Sequence, residues 1–99
     1  MNVYLSKHAE FKLQKLLDYL LEKWNVKVQN DFLEKLTAKI NQISAHPESC
    51  PKSETFGGLH ECVLSKQTTF YYRLKDKTEI EIITFFDSRQ NPEKLKREI

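Results

Sequence analysis

No long apolar run occurs anywhere in the 99 residues, which excludes a membrane-spanning helix. The opening stretch, MNVYLSKHAEF, lacks a basic segment followed by an apolar one, so no secretory signal is read there and a cytoplasmic location is expected. Charge of one sign is not in excess, with 16 Lys and Arg against 14 Asp and Glu. Such a balance neither requires nor excludes a nucleic-acid partner, and a basic patch has to come from arrangement. Glycine is scarce: the only two stand together at Gly57-Gly58, outside any strand–loop–helix setting that would cradle phosphate. Only two cysteines are present, Cys50 and Cys62, and their spacing fits neither a zinc nor a redox motif. A disulfide between them is open, but two buried free thiols are the expectation for a cytosolic chain. Neither a Ser–His–Asp nor a Cys–His order can be assembled, and no metal set is visible, so neither metal nor cofactor is expected. Internal repeats and low-complexity segments are absent as well.

What is present describes one domain with a single modest core. Residues 2–6 alternate as a short strand. Ser6 then suits a helix N-cap, because its hydroxyl can accept from an early N–H that has no partner within the helix. The spacing of Ala9, Leu13, Leu16, Leu17, Leu20 and Trp24 predicts a helix over 7–24 with one apolar stripe, leaving Lys12, Lys15, Asp18, Glu22 and Lys23 mostly on the other side. Asn25 breaks the run and can cap a second helix over 26–45, with Val28, Phe32, Leu36, Ile40 and Ile43 as its stripe. So short a connection makes the two helices antiparallel neighbours. His46 before Pro47 closes the second helix, since the residue preceding proline is pushed out of the α region.

Residues 47–58 read as a loop without period. Strands are expected over 60–66, 68–75 and 78–86, joined as a meander, with the hairpin turn at 75–77 lacking the usual glycine. Alternation puts Phe70, Tyr72 and Leu74 on one face of the second of these strands, and Thr69, Tyr71 and Arg73 on the other. In the last strand it puts Ile80, Ile82, Thr84 and Phe86 opposite Glu79, Glu81, Ile83 and Phe85. The second half of that strand is apolar on both faces, which places it centrally. A loop over 87–92 and a charged tail over 93–99 finish the chain. The fold class is therefore α+β, two-layer, in the order β-α-α-β-β-β, with a helical hairpin on one face of a mostly antiparallel sheet.

That order, together with LSKQTTFYYRL and EIEIITFFDSRQNPEKL, resembles the RelE/ParE superfamily of bacterial type II toxins. The likeness is to its ParE-like, plasmid-stabilisation branch and covers nearly the whole chain. LLDYLLEKW and FLEKLTAKI fit the family's helical half more loosely. The resemblance implies a growth-inhibiting toxin neutralised by a small antitoxin whose disordered segment folds along it. It also implies a target, either DNA gyrase or mRNA inside the ribosome. A degenerate toxin-fold interaction domain is a third reading. A homodimer and a toxin–antitoxin hetero-oligomer are both open.

A metal-free ribonuclease needs cations gathered at the scissile phosphate. The catalytic candidates for that reaction are Arg89, Arg73 and Lys66; Arg89 matches the family's arginine after the last strand. The segment HECVLSK, however, holds His60, Glu61, Val63 and Ser65 where the family carries basic residues, and the tail has Lys94, Lys96 and Arg97 but no Tyr or His. These departures favour a binding mechanism, with gyrase the leading target. Target-binding candidates are Tyr71, Arg89, Lys94 and Lys96. Arg89 can grip a phosphate or carboxylate in two parallel hydrogen bonds, or equally form a salt bridge to Asp87 or Glu93. Tyr71 shares a face with Arg73 and can stack on a base, or line half-buried sheet surface. Asp87, Asn91 and Pro92 read as turn residues.

Overall fold

The computed structural model describes residues 1–88. It contains β1 (Asn2–Leu5), α1 (Lys7–Lys23), α2 (Val26–Ala45), β2 (His60–Val63), β3 (Thr68–Leu74) and β4 (Glu79–Asp87). The four strands form one open sheet in the order β1-β4-β3-β2, with β4 central as its two-sided apolar pattern requires. β1 runs parallel to β4, and β2–β3–β4 is an antiparallel meander.

Both helices start where their capping residues stand. Ser6 Oγ accepts from the Ala9 N–H at 3.0 Å, and Asn25 Oδ1 accepts from the Val28 N–H at 2.9 Å. Helix α2 ends at the His46 C-cap just before Pro47. The apolar stripes of the two helices meet Ile80, Ile82, Phe70, Tyr72 and Phe85 in one core, with Leu16, Leu20, Phe32, Leu36 and Ile43 buried. Two positions on α1 depart from the expected stripe. Lys12 is buried, and Trp24, the C-cap, is 61% exposed. Both follow from geometry: Lys12 stands three residues after Ala9 and four before Leu16, which puts it on the buried face, and Trp24, at φ −127° and ψ −106°, has already left the helical course.

β2 ends at Val63, three residues earlier than expected, because Leu64 and Ser65 already turn back onto Thr68. A second correction concerns the faces of β4. The pairing register skips between Tyr71↔Thr84 and Tyr72↔Ile82, leaving Ile83 as an extra, bulged residue. One inserted residue reverses the alternation beyond it. Phe85 therefore joins the core, 5.7 Å from the Phe70 ring, and Phe86 moves to the reverse face beside Ile83.

The cysteines also differ from expectation: Cys50 and Cys62 are joined by a disulfide with their Cα atoms 5.4 Å apart, and neither is a free thiol. Local spacing cannot decide such a pairing. What decides it is a hairpin in which Lys52 bridges His60, the Ser53 N–H donates to Leu59 O at 2.8 Å, and the Glu61 N–H donates to Pro51 O at 2.8 Å. That hairpin brings residue 50 level with 62.

Candidate functional site

The helices cover one face of the sheet, and the reverse face divides into two regions. Toward the β3–β4 turn it is ionic. Arg73 and Glu81 are direct cross-strand partners, and the guanidinium donates to the carboxylate at 2.7 Å and 2.9 Å. Tyr4 lies beside Glu81 on the next strand, and the Lys75 ammonium sits 5.5 Å from the Tyr4 ring centre. The Tyr4 hydroxyl, followed by the nearby Glu81 and Glu79 carboxylates, holds the Lys75 ammonium above its ordinary range.

Toward the other end the reverse face is apolar and already partly covered. Tyr71 and Leu59 are buried there against Phe56, Ile83 and Phe86. The Phe56 ring meets Tyr71 edge-on at 5.4 Å, and the Tyr71 hydroxyl donates to Glu61 Oε1 at 2.9 Å. Burial, with the Glu61 hydrogen bond and charge added, pushes the Tyr71 hydroxyl up to about 12. With 4% of its surface exposed, Tyr71 offers no open ring for a base to stack on while the hairpin lies over it. A groove of about 400 Å³ runs between the hairpin tip and the sheet, lined by Thr55, Phe56, Gly57, Leu59, Arg73 and Ile83.

On the core side, Tyr72 is fully buried. Its ring stacks on His60 at 4.9 Å and its hydroxyl donates to Pro47 O at 2.6 Å. His60 in turn contacts Cys50 O through Nδ1 at 2.8 Å. His60 and Glu61 thus point to opposite faces and form no acid–base couple.

Arg73 and Lys66 are not brought together. Lys66 is exposed in the β2–β3 turn, at the opposite end of β3 from Arg73, and the five strand steps from Thr68 to Arg73 alone span about 17 Å. Arg89, Lys94 and Lys96 lie outside the described residues. Ser88, the last described residue, donates its N–H to Gln67 O at 2.6 Å, so the described chain ends beside the Lys66 turn. Sequence reasoning missed a second groove, of about 370 Å³, between the tip of the helical hairpin and this turn. Leu20, Trp24, Val28 and Phe32 line one wall, Ser65, Gln67 and Thr68 the other, and Asp31 and Lys35 the rim. The available signal was Trp24 itself, placed at the very end of a helix where a core position is hardest to reach. Among the described residues no group of His, Cys, Asp or Glu could hold a metal ion, and no helix is long and apolar enough to cross a membrane.

Comparison with known proteins agrees with this architecture. A search of curated proteins finds no match. Among solved structures, one titled as a chromosomal ParDE TA system from P. aeruginosa superimposes with a TM-score of 0.71 at 16% identity, covering 88% of this chain and 95% of that one. At that identity the likeness speaks for the fold alone. The family model described as the ParE toxin of the type II toxin–antitoxin system parDE matches residues 3–92, nearly the whole length. On that match the chain belongs to the ParE toxin family of type II toxin–antitoxin systems.

Proposed function

We propose that the chain arrests bacterial growth by binding an essential target, with DNA gyrase the leading candidate, and that a cognate antitoxin holds it inactive. The observation that supports the binding mechanism is the dispersal of the two candidate cations among the described residues. Arg73 is already engaged by Glu81, and Lys66 stands at the far end of β3. Phosphodiester cleavage without metal needs its charged groups within reach of one phosphate, whereas a macromolecular target can be gripped by separate contacts along an edge. The Trp24 groove supports the antitoxin half of the reading: an exposed indole beside Leu20, Val28 and Phe32 suits the apolar side chains of a segment that folds on binding.

Induced expression should stop growth, and co-expression of the small neighbouring gene should restore it. Purified toxin should inhibit gyrase supercoiling and trap DNA breaks while leaving translated mRNA intact. Cleaved mRNA with unaffected gyrase would replace this reading with the ribosome-dependent nuclease.

A further inference from the structure

The covering of Tyr71 depends on a segment with few anchors. From Pro51 to Leu59 the hairpin is held to β2 by a thin ladder, Glu61 N–H to Pro51 O and the Lys52–His60 bridge, and closed on itself by Ser53 N–H to Leu59 O. Pro51 has no N–H with which to answer the outward Glu61 carbonyl, so the ladder stops there. The tip contains both glycines, with Gly58 at φ +83°. Phe56 packs the tip onto Tyr71 with ring centres 5.4 Å apart, and Leu59 closes the base of the same cluster. The stem before the hairpin is better held, by Tyr72 on Pro47 O and His60 on Cys50 O. The covalent tether between this stem and β2 is the Cys50–Cys62 disulfide, with 5% and 1% of the two residues exposed.

We propose that this disulfide is a redox clasp on the reverse face. Oxidised, it keeps the 51–59 hairpin closed with Phe56 over Tyr71. Reduced, it lets the hairpin lift, uncovering Tyr71 and the apolar patch of Ile83 and Phe86 next to Arg73. The reductant is a dithiol. One of its thiolates attacks a cysteine sulfur, the Cys–Cys bond breaks, and a mixed disulfide forms. The second thiol displaces the remaining cysteine. Two electrons and two protons end on Cys50 and Cys62, and the dithiol becomes a disulfide. Because both sulfurs are buried, attack proceeds through transient opening of the hairpin, so reduction and lifting are coupled. Disulfides of cytosolic proteins, where they occur, are mostly of this transient kind.

The test is amide hydrogen exchange on the whole chain, oxidised and after dithiothreitol, with the Cys50→Ser/Cys62→Ser double variant alongside. Reduction should speed exchange across 51–60 by at least about tenfold, as expected for losing a short-loop cross-link, while α1 and α2 keep their protection. The double variant should match the reduced protein; should it fail to fold, the reduced wild type carries the comparison. Unchanged exchange over 51–60 would overturn the clasp. So would protection lost equally from the helices, which would make the bond a structural staple, or a mass showing two free thiols under air. None of these readings uses growth arrest or a target, so the clasp and the toxin activity stand or fall separately.

Discussion

Ser6 Oγ donates to the carbonyl of Ile83 at 2.9 Å, across 77 positions of sequence, while the same oxygen accepts from the Ala9 N–H. Ile83 is the residue that the bulge removes from the β3–β4 ladder. One hydroxyl therefore starts α1 and satisfies the backbone group that the bulge releases. Ser6→Ala removes both bonds. The lost cap and the stranded carbonyl together should lower stability by about 2 kcal/mol. Ser6→Thr, which keeps the hydroxyl, should recover most of that in a urea titration. Equal stability of the Ala variant and the wild type would show that this oxygen holds neither partner.

The core makes a graded prediction. Ile43 is fully buried, whereas Leu17 and Ile40 are only partly covered. Ile43→Ala should cost about 2–5 kcal/mol, and Leu17→Ala or Ile40→Ala less. Thermal unfolding of the three variants checks the order. A larger loss at Leu17 than at Ile43 would mean α1 is rotated on the sheet.

Alkaline titration isolates Tyr71. Its folded value, about 12, lies above the ordinary 10.0, so the folded state holds this proton more tightly. Its contribution to stability is complete below pH 10 and is lost as pH rises through about 12. The tyrosinate absorbance of the wild type, minus that of Tyr71→Phe, should rise near pH 12. In Glu61→Gln, which removes the carboxylate acceptor, the rise should come earlier. A Tyr71 step near 10 would show that the Phe56 hairpin does not shield it.

Arg73 and Lys66 stand at opposite ends of β3 and share no partner among the described residues. If both contact a target, Arg73→Ala and Lys66→Ala should weaken growth arrest independently, and their effects on affinity should add. Groups acting at one phosphate behave otherwise, because losing either abolishes most of the rate and the second loss adds little. Growth arrest, with affinity for the proposed gyrase target, measured in the single and double variants distinguishes the two. Arg73→Ala should change stability by less than about 1 kcal/mol, since the exposed Arg73–Glu81 pair is screened by water.

Much of the fold was legible because its signals are local. Ser6 and Asn25 mark helix starts through N–H groups three residues on, Pro47 ends α2 through the residue next to it, and α2 runs over Val26–Ala45 as its pattern predicts. The faces of Phe85 and Phe86 were not legible. The bulge that exchanges them is supported by Ser6 from the other end of the chain. The Cys50–Cys62 bond and the burial of Tyr71 escaped for a related reason, as both depend on how a patternless loop folds back along β2. The candidate site was legible only as a set of residue types. Arg73 and Lys66 can be read as cations from the sequence, but the distance between them and the claim of Glu81 on Arg73 belong to the assembled sheet.

Three loops bordering the meander share one device. Ser53 Oγ accepts from the N–H groups of Thr55 and Phe56, Ser65 Oγ from Gln67 and Thr68, and an Asp76 carboxylate oxygen from Thr78 and Glu79. Those Asp76 bonds hold its carboxyl below the usual range. The consequence is kinetic. Each turn stores its own instruction within four residues, so β2, β3 and β4 can zip together from short-range information. β1 alone must be captured from the distant end of the chain, so its addition beside β4, sealed by Ser6 across 77 positions, carries the largest loop-closure entropy in the sheet.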